Sequence, residues 1–161
     1  MRIVRIEEVQ EHVETIAKWL YDEWGQHTPN GSISRAEKDL RTMPDARGLP
    51  VSFIAVDDNA AVGIARLIAN DMETRKDIFP WLASVFVPVQ YRGRRIGSQL
   101  CGRVDNEAHR LGFPCIYLFT PDRERFYSRQ GWAVAERATY RGKDIVIMKK
   151  NLGEQRVALE R

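Results

Sequence analysis

The segment from Trp81 to Thr120 limits the fold more than any other part of the chain. Residues 81–87 read WLASVFV, a nearly continuous apolar run of the kind buried on both faces of a sheet. From about Arg95 the period changes. Ile96, Leu100, Val104, Ala108 and Leu111 recur at helical spacing, and Gly112 ends the helix. Residues 115–120, CIYLFT, are apolar again. Strand, helix, strand makes one crossover unit, so strands 81–87 and 115–120 are predicted to run parallel.

The rest of the chain surrounds that unit. Residues 2–6 alternate as a short first strand. Val9, Val13, Ile16, Ala17, Leu20 and Trp24 mark an amphipathic helix over 8–24, with Glu7, Glu8 and Glu11 at its positive end. Ser34 with Glu37 three residues on reads as a capping box for a second helix ending near Met43. Val51–Asp57 and Ala61–Asn70 form a hairpin about Asp58-Asn59. Residues 71–80, DMETRKDIFP, are too charged for a core and form an excursion at the sheet. A short helix covers 122–130. A final hairpin, 132–139 with 144–149, turns at Arg141-Gly142. The predicted fold is α/β, with a mixed, mostly antiparallel sheet flanked by helices. Residues 1–150 make a single domain, and 151–161 a polar C-terminal tail.

Composition narrows the function. The 161 residues carry a net charge of +3, with a pI near 9.0, a small excess for a dedicated nucleic-acid binder. No stretch is apolar and long enough to span a bilayer, and the start lacks the apolar run of a signal peptide. Cys101 and Cys115 sit in apolar patterns, and the three histidines have no ligand spacing. The reading is a cytoplasmic protein without metal, membrane or nucleic acid.

The turn before the long helix carries the chemistry. Residues 87–100 read VPVQYRGRRIGSQL. The first amides of a helix have no intrahelical partner and lie at the positive end of its dipole. Gly93 and Gly97 let a ligand approach the backbone, and Arg92, Arg94 and Arg95 are donors suited to phosphate. A phosphate or pyrophosphate site fits this turn. Neither the P-loop pattern nor the dinucleotide-binding glycine pattern is present. Taken alone, the turn is also open to reading as a solvated arginine cluster.

Set in its context, the chain resembles the GNAT superfamily of acyl-CoA-dependent N-acyltransferases. The phosphate-turn pattern of that family, Arg/Gln-x-x-Gly-x-Gly/Ala, is similar to Arg92-Gly93-Arg94-Arg95-Ile96-Gly97. Its aromatic-Tyr-x-x-x-Gly-aromatic signature is similar to Phe126-Tyr127 followed by Gly131-Trp132. The likeness covers roughly residues 50–150. One position departs: Arg95 stands where the family has its first glycine. A helix start needs no positive φ, so arginine is expected to fit there.

The resemblance implies that strands 81–87 and 115–120 splay apart. Acetyl-CoA would enter the gap, with its pantetheine arm along the backbone of Val85, Phe86 and Val87. Its pyrophosphate would rest on the amides of residues 93–98, among them Ile96, Gly97 and Ser98, and Thr120 would line the cofactor. Tyr127 would be the general acid to the departing thiolate. The residues do not single out a base. Asp71 and Asp77 of the excursion rank level, and each is also readable as a solvated carboxylate paired with Arg75 or Lys76. Trp24, Asp71 and Trp81 are the candidate acceptor contacts. The expected function is acetylation of a small primary amine. The alternatives are acetylation of a protein N-terminus or lysine, and a non-catalytic acyl-CoA-binding domain. Monomer and homodimer both remain open.

Overall fold

The computed structural model describes residues 1–153. A seven-stranded sheet has the order β1-β2-β3-β4-β5-β7-β6. The strands are β1 (Arg2–Arg5), β2 (Val51–Asp57), β3 (Ala60–Ile68), β4 (Trp81–Phe86), β5 (Cys115–Thr120), β6 (Ala133–Tyr140) and β7 (Lys143–Asn151). All neighbours pair antiparallel except β4 and β5, the crossover pair. Four α-helices flank the sheet: α1 (Val13–Glu23), α2 (Ile33–Arg41), α3 (Ile96–Arg110) and α4 (Glu124–Ser128). None of the described helices is long and apolar enough to cross a membrane.

Strand alternation sorts the core onto two faces. On one face Leu67, Leu82, Ile116, Leu118, Val146 and Met148 pack under the stripe Ile96, Leu100, Val104 and Ala108 of α3, and α4 joins them through Tyr127. The approach of α3 is close: a Cβ on Gly63 of β3 would lie 2.9 Å from Leu100. On the other face Ile54 and Ile64 pack under Val13, Ile16 and Ala17 of α1 and Leu40 of α2. Farther along that same face Met72, Trp81, Ile145 and Ile147 close together with Tyr117, Phe119 and Tyr140.

Several boundaries differ from the sequence reading. The helix expected over 8–24 begins with two 3-10 turns, Ile6–Glu8 and Gln10–His12, because Val9 takes φ −138° between them. Ser32, not Ser34, caps α2: its hydroxyl accepts from the Arg35 amide at 3.0 Å. The last strand runs past the predicted end of the domain. Asn151 pairs with Cys115, and the Leu152 amide donates to the Pro114 carbonyl at 2.9 Å. The remainder of the predicted tail, 154–161, lies outside the described residues.

Candidate active site

Strands β4 and β5 meet only at their start. Trp81 pairs with Tyr117, whose amide donates to the Pro80 carbonyl at 3.0 Å, and no further register partners follow. Beyond that point the two strands diverge and leave a cleft with unpaired backbone on both sides. A bulge in β4 shapes it. Ile64 of β3 pairs with Phe86 and Arg66 with Ala83, so Ser84 and Val85 share one space in the register. Ser84 takes φ 55° to allow this. Val85, Phe86 and Val87 are half-buried along the cleft, although the Val87 carbonyl already accepts from Arg92 Nε at 2.8 Å.

The basic turn stands at the mouth of this cleft. Val89–Tyr91 form a 3-10 turn, and α3 starts at Ile96 without a side-chain cap. The first backbone bond that closes on this helix end is Gln99 N to Arg95 O, at 3.1 Å. The amides of Ile96, Gly97 and Ser98 therefore precede the intrahelical ladder and are available to an anion. A Cβ on Gly97 would meet Phe126 at 3.6 Å and Val87 at 3.9 Å, both ordinary contacts. Protein packing does not demand glycine here; its absent side chain keeps open a groove between the end of β4 and α4.

The three arginines are not equivalent. Arg92 reaches back to Val87 and lies over the Phe86 ring, 5.9 Å from its centroid. Arg94 pairs with Asp57 at 2.7 Å and holds that carboxyl below the usual carboxylate range. Arg95 is exposed, and among the described residues nothing takes its guanidinium. It is the arginine left to meet a ligand. The expectation that its position needs no positive φ is corrected: Arg95 sits at φ 61°, ψ 20°, in the left-handed region. The chain must swing from an extended Arg92 into the helix, and it does so through left-handed Gly93 and Arg95. For a residue with a Cβ this costs about 1–2 kcal/mol.

On the far side of the cleft, α4 carries Tyr127. Its ring meets Phe126 and Trp132 edge to face, with centroids 5.0 and 6.2 Å apart. The residue is buried, yet no described group hydrogen-bonds its hydroxyl. Burial pushes the phenol pKa up, with further contributions that include Cys101 and Asp71. The ring is thus a protonated donor across the working pH range. Thr120 does not present its hydroxyl to the cleft. That oxygen accepts from the amides of Arg123 at 3.0 Å and Asp122 at 3.4 Å, and so organises the turn that leads into α4.

The two carboxylates that rank level in sequence separate in space. Asp77 is exposed and bound to Arg75 at 3.0 Å, which holds it below the usual carboxylate range. Asp71 is half-buried beyond the end of β3. Desolvation raises its pKa to about 6, against the pull of Arg66 and Arg141. Its influence on Tyr127 puts the two groups within electrostatic reach of each other. Trp81, expected as an acceptor contact, is instead fully buried, with its indole nitrogen donating to the Ile78 carbonyl at 3.0 Å. The physical reason is the apolar cluster under the excursion, which closes over it. Trp24 is exposed and stands edge-on to Phe86, at 6.2 Å between centroids.

One residue escaped the sequence reading. Arg66 lies in β3, on the face of the sheet away from α3, and is only 8% exposed. The signal was visible: a lone arginine inside the apolar run VGIARLI.

A family profile described as an acetyltransferase (GNAT) domain matches residues 50–134, just over half of the chain. The chain belongs to the GNAT family of acetyl-CoA-dependent N-acetyltransferases. Its fold is similar to that of an N-acetyltransferase from Staphylococcus aureus Mu50, with TM-score 0.75 and 16% identity over 94% of this chain and 98% of that one. It is also similar to an aminoglycoside 6'-N-acetyltransferase in complex with coenzyme A, with TM-score 0.74 and 16% identity over 96% and 99%. An acetyltransferase from Streptococcus agalactiae 2603 gives TM-score 0.68 and 22% identity over 93% and 97%. No curated protein matches the chain.

Proposed function

We propose that the enzyme acetylates the primary amine of a small molecule, with Tyr127 as the general acid and Asp71 as the base. What supports this reading is the place of the two groups: Tyr127 is buried on α4 beside the diverging strands with no described hydrogen-bond partner for its hydroxyl, and half-buried Asp71 follows β3 within electrostatic reach of it. The donor fits the other end. Uncapped amides at the start of α3, the groove at Gly97 and the unpartnered Arg95 suit a pyrophosphate. The half-buried backbone of Val85 and Phe86 offers an edge along which an extended arm can pair. A free amide in this segment would polarise the thioester carbonyl.

The two protons then have separate carriers. Above pH 6 Asp71 is an anion and takes a proton from the incoming ammonium, which leaves a free amine to attack the thioester carbon. The attack makes the carbon–nitrogen bond, the carbon–sulfur bond breaks, the Tyr127 hydroxyl supplies a proton to the departing thiolate, and the second proton shed by the nitrogen as the amide forms returns to the Tyr127 oxygen. Both carriers have a task because the amine arrives protonated and the sulfur leaves as a thiolate.

The test is thiol release from acetyl-CoA over a panel of small amines and peptides, with the wild type and Tyr127→Phe side by side. Release that depends on the amine, and that collapses in the variant, supports the reading. Release by peptides alone points to a protein acceptor. Acetyl-CoA binding without release by any acceptor points to a binding domain and overturns the proposal.

A further inference from the structure

We infer that the acceptor bears a carboxylate beside the amine that is acetylated, and that Arg66 reads that carboxylate. The inference rests on the proposed amine acetylation and names its substrate class, an α-amino acid or a close analogue.

Arg66 is a buried cation whose donors are incompletely used. Its Nε donates to Ser52 Oγ at 2.9 Å, and its Nη2 reaches the Asp39 carbonyl at the end of α2, at a long 3.4 Å. A guanidinium has five N–H donors. Among the described residues no acceptor takes Nη1, and no carboxylate forms an ion pair with the group; Asp39 and Asp71 act on it only from farther away. The open nitrogen is not sealed in the core, and a planar fork with an accessible donor matches a carboxylate. A purely structural strap to α2 needs neither the charge nor the open nitrogen.

The position fits the reaction. Arg66 pairs with Ala83, the last regular residue of β4 before the bulge at Ser84 that shapes the cleft. Alternation puts both side chains on the face away from α3. Asp71 lies on the same strand's continuation, within the field of Arg66. A carboxylate on Arg66 would therefore hold an adjacent ammonium within electrostatic reach of Asp71. A polycation lacks any group for Arg66 and would be repelled by it and by Arg141. The fold shared with an aminoglycoside-acetylating enzyme thus does not carry its acceptor over to this chain.

The experiment uses the purified full chain, acetyl-CoA and matched acceptors: leucine, leucinamide and isopentylamine, with two further sets of the same design. The amide keeps the α-amine and also stands in for a peptide N-terminus. Wild type is expected to favour the acid at least tenfold in kcat/KM, with most of the difference in KM. Arg66→Gln should bring the ratio within about twofold, and Arg66→Lys should retain part of it, since a point charge remains without the fork. If Arg66→Gln does not fold, the wild-type ratio and the lysine variant still decide. Equal turnover of acid, amide and amine by wild type overturns this inference and leaves amine acetylation standing. No release from any acceptor overturns the amine-acetylation reading and this inference with it.

Discussion

The two ends of the cleft are built from different materials. The donor end is backbone: the uncapped start of α3, the diverging edge of β4 and a glycine that leaves a groove. Two of its three arginines are occupied by the protein, one on the Val87 carbonyl and one on Asp57. The acceptor end, as proposed, is side chain: Asp71 and Arg66 on and just beyond β3, Trp24 at the end of α1, and Arg141 over Tyr140 on the last hairpin. Backbone amides recognise a phosphate whatever residues carry them. Side chains select, and each can change alone.

Substitutions can break this division. The largest effect is expected for Tyr127→Phe, about 10²-fold or more in kcat, with the KM for acetyl-CoA little changed. Equal loss in kcat and in cofactor binding would show that Tyr127 belongs to the donor end as packing.

Next comes Asp71→Asn, with a loss of about 10–10² in kcat/KM for the amine at pH 8. The wild-type rate should rise with pH through about 6, where Asp71 ionises, and the variant should lack that limb. Stability should move the other way. The folded pKa lies above the reference value of 3.8, so the native state holds a proton that the unfolded chain releases. That contribution is full below about pH 4 and is lost as pH rises through 6. Asp71→Asn should therefore be more stable than wild type at pH 8, by about 1–2 kcal/mol, and nearly equal to it at pH 3.5. Thermal melts at the two pH values check the sign.

At the donor end, Gly97→Val should raise the KM for acetyl-CoA about tenfold while the preference among amines stays as in wild type. A changed amine preference would mean that the two ends are coupled through the groove. The smallest effect is expected for Arg95→Gly. Relief of the left-handed strain, offset by the freedom glycine adds to the unfolded chain, should leave a gain of about 0.5 kcal/mol. Loss of the unpartnered guanidinium should weaken acetyl-CoA binding severalfold, as read by calorimetry.

The same difference in material explains what could be read in the sequence. The crossover unit was legible because period-two and period-3.6 patterns abut at the turn, and the element order follows the expected one throughout. The uncapped helix start after the basic turn was legible because the change of period and the glycines mark it locally. Asp71 and Asp77 were not separable. Both stand in one charged excursion, and their difference arises from burial against β3 and an ion pair with Arg75, neither of which is local. Trp81 was misplaced because an aromatic residue at a strand start suits a wall and a core alike. The left-handed Arg95 was missed for a related reason. Its position was read as an ordinary helix start, whereas the backbone uses it for a left-handed turn.

The single register pair at Trp81 and Tyr117 has a consequence for how such an enzyme can diversify. Past that clasp the two strands share no ladder. Exposed residues of the excursion after β3, such as Glu73 and Lys76, can be exchanged without disturbing α3 or Gly97. Acceptor preference is therefore free to drift in a lineage while the acetyl donor stays the same. Arg66 is more constrained, because its Nε also donates to Ser52 on β2.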